Sequence, residues 1–199
     1  MDVKKYIDEL RTRARKAYIP VMREKTTELL AEITAEKRPS RVLEIGTSLG
    51  VSGITVLVSG ADRLCTVEID GSVIDLAEKN FSACGVRDRV EFIEGDCFEV
   101  LPYMDNNRYD MAILDGPKSK YCEMFDLILP MMNGGGVIFC DDVDFFGLVK
   151  QTSPIRKHRT IIRGMQKFYD KVTADTRVSA KFLPIEDGVA VITVKTEED

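Results

Sequence analysis

The chain has 199 residues, 44% of them hydrophobic, enough for one substantial core and a single domain over 1–199. Acids outnumber bases, 33 against 28, and the formal charge of −5 argues against broad, nonspecific nucleic-acid binding while leaving room for a local basic patch. Cys65, Cys84, Cys97, Cys122 and Cys140 form no C-x-x-C pair, which speaks against a zinc ribbon or thioredoxin-type site and for a reduced, cytoplasmic protein. The N-terminus lacks the apolar core of a signal peptide, and no apolar stretch is long enough to span a membrane.

Residues 3–17 are polar and basic with helical character. Pro20 can open a second helix, because proline fits a first turn; this helix carries Val21, Thr26, Leu29, Leu30 and Ile33 on one side and stops before Pro39. Together, residues 1–38 form N-terminal helices that pack on the core and can shape an acceptor site. Then the pattern changes. Arg41–Ile45 is a short β-rich run followed by glycines, and residues 51–59 are helical. Leu64–Ile69 is a second strand, and Asp70 caps a helix that ends at Gly85. Val90–Ile93 and Tyr109–Leu114 are strands three and four, with a helix over 119–130. Gly136–Cys140 is strand five, and a long amphipathic helix covers 155–173. Two final strands flank Glu186-Asp187-Gly188, whose Asp-Gly pair is a hairpin signal. Strands alternating with helices predict an α/β fold with a mostly parallel seven-stranded sheet and a terminal antiparallel hairpin. Ligands of such sheets sit beyond the carboxyl ends of the strands.

Gly46, Gly50 and Gly53 follow strand one as G-x-x-x-G-x-x-G. Glycine permits a tight turn and close approach of a ligand. A dinucleotide fold prefers G-x-G-x-x-G, whose second glycine leaves room for a pyrophosphate; Ser48 stands there instead. The turn therefore suits a cofactor without a pyrophosphate, such as S-adenosylmethionine (SAM). Glu68 ends strand two, 22 positions after Gly46, where an acid accepts hydrogen bonds from ribose hydroxyls. Asp96 and Cys97, after strand three, would lie near the adenine, although Cys97 is equally well read as core.

Asp115 ends strand four, and Asp141 and Asp142 end strand five. If these strands are neighbours, three carboxylates converge, and a cation relieves their mutual repulsion. Oxygen ligands suit Mg²⁺, Mn²⁺ or Ca²⁺. Lys118 stands at the mouth of the same site as a candidate base, with Lys120 as a competitor. These parts fit transfer of a methyl group to a hydroxyl that has a second oxygen beside it. The metal would lower the pKa of the hydroxyl, and Lys118 would take or stabilise its proton.

The residues resemble the cation-dependent O-methyltransferases, the group of catechol and caffeoyl-CoA O-methyltransferases. The likeness runs from Tyr18 to Val194. It rests on Val42-Leu43-Glu44-Ile45-Gly46-Thr47, Thr66-Val67-Glu68-Ile69-Asp70, Glu94-Gly95-Asp96-Cys97, Leu114-Asp115-Gly116-Pro117-Lys118-Ser119, Cys140-Asp141-Asp142-Val143 and Leu183-Pro184-Ile185-Glu186-Asp187-Gly188. It implies a Rossmann-like class I SAM-dependent methyltransferase, with helices on both faces of the sheet. Glu44 and Gly46 would line the methionine part of SAM, Glu68 would hold the ribose and Cys97 would touch the adenine. Thr47, Ser52, Ile69, Asp96 and Asp115 complete the implied cofactor set. Asp115, Asp141 and Asp142 would bind the metal, and Lys118 and Asp115 would be catalytic. A homodimer is also implied. Within the family, Ala17–Met22 and Phe146–Val149 with the basic helix after them are similar to the bacterial tRNA 5-hydroxyuridine methyltransferases. That branch methylates a wobble-position 5-hydroxyuridine, whose O5 and O4 are adjacent. The chain departs from the family at Asp142, where asparagine is usual, and at Asp115-Gly116-Pro117-Lys118, where the family has Asp-Ala-Ala-Lys.

Arg156, Lys157, His158, Arg159, Arg163 and Lys167, with Lys4, Lys5, Arg11, Arg13, Arg15 and Lys16, are a candidate RNA-binding face or simply solvated helix surfaces. Phe145 and Phe146 would wall an acceptor pocket or pack. The expected acceptor is thus tRNA or a small hydroxylated aromatic. Two other functions compete: an NAD(P)-dependent oxidoreductase, disfavoured by Ser48, and a non-catalytic SAM-binding scaffold.

Overall fold

A computed structural model describes residues 2–106, 108–144 and 159–196. In chain order the elements are α1 (Val3–Lys16), α2 (Glu24–Lys37), β1 (Arg41–Ile45), α3 (Val51–Val58), β2 (Arg63–Glu68), α4 (Gly71–Ala83), β3 (Val90–Glu94), α5 (Cys97–Val100), β4 (Tyr109–Leu114), α6 (Tyr121–Ile128), β5 (Met132–Cys140), α7 (Arg159–Ala174), β6 (Val178–Leu183) and β7 (Val189–Val194). Seven strands make one sheet in the order β3-β2-β1-β4-β5-β7-β6. The chain packs as two compact units, Met1–Cys97 and Phe98–Asp199.

In the first unit β1, β2 and β3 are parallel, with Ile45 opposite Val67 and Glu68 opposite Glu94. Val42 to Ile45 and Leu64 to Val67 are buried without a break. Neighbouring side chains point to opposite faces, so both faces of these strands are covered. Helix α3 is buried from Val51 to Leu57, and glycine lets it sit close: a Cβ on Gly53 would stand 2.6 Å from Leu64 Cδ2 and 2.7 Å from Phe81 Cζ. Asp70 caps α4 by accepting from the Ser72 amide at 2.9 Å. Gly85, at φ 71, follows its end.

The second helix does not open at Pro20. It begins at Glu24, and its buried residues are Thr26, Thr27, Leu30 and Thr34, while Val21, Leu29 and Ile33 are half-buried. The Pro20 carbonyl instead accepts a hydrogen bond from Ser48, which holds this segment on the turn after β1.

In the second unit β4 and β5 are parallel, and β7 pairs antiparallel with both β5 and β6. Strand β5 is longer than expected and starts at Met132. Helix α7 buries Ile162, Met165, Phe168 and Val172, and Phe168 meets Tyr121 and Phe125 edge-on. Such contacts add about 0.5–1.5 kcal/mol each beyond area burial. The expected first residues of this helix, 155–158, lie outside the described residues, as do Phe145 and Phe146.

Candidate functional site

The first unit carries the turn after β1. The Gly46 amide donates to the Val67 carbonyl at 3.0 Å, continuing the β1–β2 ladder past Ile45. The chain then reverses, closed by the Gly50 amide on the Thr47 carbonyl at 2.9 Å. Gly46, Ser48 and Gly50 have φ of 93, 47 and 82. A side chain at positive φ is uncommon, and Ser48 is secured there by its Oγ donating to Pro20 at 2.8 Å. Beneath the turn lies a polar chain. Glu44 is fully buried and accepts from Ser52 Oγ and, at 2.7 Å, from Thr66 Oγ. The single Thr66 proton is spent on Glu44, so Thr47 Oγ donates to Thr66 Oγ at 2.6 Å. Glu68 receives four backbone amides: Thr47 and Ser48 on one oxygen, Ile69 and Asp70 on the other. The four amides take up the four lone-pair sites of the half-buried carboxylate, so a ligand hydroxyl there would share an oxygen with an amide or displace one. Ile69, 67% exposed, is an apolar surface just past Glu68.

Glu44, Thr47, Ser52 and Glu68 are thus gathered at one strand end. Glu44 meets its neighbours with both oxygens from inside the core, so it props the turn rather than facing solvent. The glycines divide their work. Gly46 reverses the chain, whereas Gly50 and Gly53 make room for Phe81, which a Cβ on Gly50 would approach to 2.6 Å. Asp96 is half-buried and Cys97 is buried at the start of α5.

The second unit carries the carboxylates. Leu114 pairs with Cys140, so Asp115 and Asp141 leave adjacent strands at the same level. One oxygen from each of Asp115, Asp141 and Asp142 lies within 4.8 Å of the others. Lys118 Nζ lies 2.5 Å from Asp115 Oδ1 and 3.4 Å from Asp142 Oδ2. Lys120 turns away to Glu123 at 3.1 Å. Asp142 stands at φ 56, and its amide donates to Asp141 Oδ1 at 2.7 Å. The hairpin before β7 grips the next residues: the Val143 amide donates to Gly188 and the Asp144 amide to Asp187. A Cβ on Gly188, at φ 85, would stand 2.7 Å from the Asp144 nitrogen. Beside this loop, Val143, Tyr169, Phe182, Leu183 and Pro184 line a largely apolar cavity of about 540 Å³.

Burial, then the charges of Asp142 and Asp115, push the Asp141 carboxyl up to about 8. Burial likewise raises Asp115, against the pull of Lys118. Burial alone would lower the Lys118 ammonium, but the Tyr121 oxygen and the carboxylates of Asp115 and Asp142 outweigh it, and its pKa rises. Burial drives the Tyr121 phenol well up, so Tyr121 is a neutral donor. Three carboxylates against one lysine leave surplus negative charge in a half-buried place, with oxygen donors only. That set fits a hard divalent cation.

Sequence reasoning missed Tyr121, Thr66 and Asn80. Tyr121 stands three residues after Lys118, and that spacing on a helical turn was a usable signal. The roles of Thr66 and Asn80 depend on contacts between distant segments.

A family model described as O-methyltransferase matches residues 1–195. The chain belongs to the O-methyltransferase family. Among curated relatives, the “Probable caffeoyl-CoA O-methyltransferase 2” of Dictyostelium discoideum is 26% identical over 160 residues, which is 77% of this chain and 68% of that protein. The O-methyltransferase of Bacillus cereus, solved with S-adenosylhomocysteine, is 25% identical with a TM-score of 0.85, covering 96% of this chain and 91% of that one. TomG of Streptomyces achromogenes, an O-methyltransferase of tomaymycin synthesis solved with SAM, is 24% identical with a TM-score of 0.85, covering 96% and 90%. The fold of this O-methyltransferase is therefore that of the class I methyltransferases. Among the described residues no helix is long and apolar enough to cross a membrane.

Proposed function

We propose that this O-methyltransferase uses SAM as methyl donor and a divalent cation to methylate a hydroxyl that has a second oxygen beside it. The wobble 5-hydroxyuridine of tRNA is the acceptor we favour. The carrying observation is the convergence of Asp115, Asp141 and Asp142 on one point with Lys118 beside it. An NAD(P) oxidoreductase has no use for that cluster.

In this reading the turn at 46–50, Glu68 and Ile69 hold the donor, with Glu68 taking the ribose hydroxyls. The SAM- and S-adenosylhomocysteine-bound relatives support the choice of donor. Asp115, Asp141 and Asp142 would hold the cation, which would supply a Lewis acid that lowers the pKa of the acceptor hydroxyl. With a cation offsetting the carboxylates that hold the ammonium charged, Lys118 would be free to shed its proton and its neutral Nζ would receive the hydroxyl proton. The oxygen bonds to the methyl carbon as the carbon–sulfur bond breaks, leaving the methyl ether and S-adenosylhomocysteine. The remaining rate gain comes from orientation, worth up to about 7–11 kcal/mol in favourable systems.

The O5 and O4 of 5-hydroxyuridine are such a pair of oxygens, and so are those of a catechol. Resemblance to the tRNA branch at Ala17–Met22 favours the nucleoside; Phe146–Val149, its other motif, lies outside the described residues. Arg159, Arg163 and Lys167 are exposed on α7, as RNA contact requires. The test is incubation with labelled SAM and Mg²⁺, offering tRNA that carries 5-hydroxyuridine or a simple catechol. It is paired with nucleoside mass spectrometry of tRNA from cells with and without the gene. Unchanged 5-methoxyuridine-type nucleosides together with turnover of the catechol would move the acceptor to a small molecule. Turnover that ignores chelation would remove the cation from the mechanism.

A further inference from the structure

The turn at 46–50, closed by its own Gly50–Thr47 bond, is also braced from outside. Ser48 sits at φ 47, a region that side chains disfavour. Its conformation is held by groups from elsewhere in the first unit. Ser48 Oγ reaches Pro20. The Asn80 amide, on α4, donates from Nδ2 to the Leu49 carbonyl at 3.0 Å. The same side chain accepts at Oδ1 from the Tyr6 hydroxyl of α1 at 2.8 Å. Asn80 is only 7% exposed, so breaking either bond leaves a buried polar group without compensation from water. The Arg13 guanidinium lies 5.4 Å over the Tyr6 ring, on the same helix. Phe81, next to Asn80, fills the space left open at Gly50. A physical path therefore runs from α1 through Tyr6 and Asn80 to Leu49.

We propose that Asn80 is a positioning residue for the methyl donor. It holds the Leu49 carbonyl, and with it the peptide groups of the turn, in the shape that receives SAM. Through Tyr6 it makes donor affinity depend on the docking of α1. Donor binding and α1 docking then strengthen each other, as any linked pair must. The proposal rests on the reading of the 46–50 turn as the donor site.

The experiment measures S-adenosylhomocysteine affinity by calorimetry, thermal midpoint and steady-state kinetics for wild type and four variants. Asn80→Asp keeps the acceptor for Tyr6 and loses the donor to Leu49. Tyr6→Phe cuts only the link to α1. Val90→Ala, at the amino end of β3, lowers stability at the opposite strand end from the turn. Gly46→Val disrupts the turn itself. Asn80→Asp is expected to weaken binding about 10-fold and Tyr6→Phe about 3- to 10-fold, both raising KM for SAM with kcat within about twofold at saturation, while Val90→Ala leaves affinity unchanged. Affinity unchanged in Tyr6→Phe and Asn80→Asp overturns the proposal. So does an equal loss of affinity in Val90→Ala for the same fall in midpoint. Should Asn80→Asp not fold, Tyr6→Phe decides. If Gly46→Val binds as wild type does, the turn is not the donor site and both readings fall. If Gly46→Val alone loses binding, only the role of Asn80 falls.

Discussion

The Tyr121 hydroxyl lies 2.9 Å from the carbonyl oxygen of Asp141. It also lies 2.9 Å from the Leu114 carbonyl and 3.1 Å from Lys118 Nζ. One phenolic proton is thus shared between the ends of β4 and β5, and the lone pairs face the lysine. Tyr121 is fully buried, so no water replaces these bonds.

Tyr121→Phe keeps the ring packing against Phe168 and removes the hydroxyl alone. Two carbonyls lose their donor, which should cost about 1–3 kcal/mol in urea unfolding. Lys118 loses an orienting contact, so kcat should fall about 10-fold with KM for SAM unchanged. Unchanged stability and kcat together would deny Tyr121 this role.

Lys118→Met removes the proposed proton acceptor but keeps the length of the side chain. A fall in kcat of about 10²–10⁴ is expected, with calorimetric affinity for S-adenosylhomocysteine intact. A loss smaller than tenfold would leave Lys118 as a counter-charge only.

Asp141 makes stability depend on pH. Its carboxyl is pushed up to about 8 from an ordinary 3.8. The folded chain therefore holds a proton that the unfolded chain releases between those values. The Asp141 contribution to stability is fullest near pH 4 and is lost as pH rises towards 8, by on the order of a few kcal/mol. Urea melts in chelator should show this slope, and Asp141→Asn should flatten it. Added Mg²⁺ should raise stability more at pH 8 than at pH 6, and Asp141→Asn, which keeps Asp115 and Asp142, should lose that pH dependence.

Gly188→Ala tests the grip of the hairpin on the carboxylate loop. The added Cβ would meet the Asp144 backbone at 2.7 Å, at a φ of 85 that alanine disfavours. A destabilisation of about 2 kcal/mol is expected. Mn²⁺ affinity, read by paramagnetic relaxation, should fall in parallel, because the loop must move to make room. Full Mn²⁺ affinity would show that the loop keeps its place without the hairpin.

Glu68→Gln exchanges an acceptor for a group that presents an amide to backbone amides. Whichever way the side chain turns, two N–H groups face NH₂. Affinity for S-adenosylhomocysteine should drop about 10-fold or more. Equal affinity would argue that the ribose lies elsewhere.

The alternation of strands and helices was legible because the buried strands are short, largely apolar runs, as in Met111–Leu114 and Val137–Cys140. The three carboxylates were legible for a related reason: neighbouring parallel strands deliver their next residues to one place. Other features hide in the tertiary structure. Nothing local marks Asn80, whose partners are 74 and 31 positions away. Gly50 and Gly53 read as room for a ligand, yet the space is taken by Phe81. Pro20 reads as a helix start, but its carbonyl is spent on Ser48 and the helix waits until Glu24.

The pairing of Leu114 with Cys140 makes the carboxylate site a gauge of strand alignment. Asp115 and Asp141 come one residue past that pair, and a slip of one residue would turn one of them to the other side of the sheet. The proposed cation site then assembles only in a correctly threaded sheet. A luminescent lanthanide added during refolding would therefore report the moment at which β4 and β5 pair in this register.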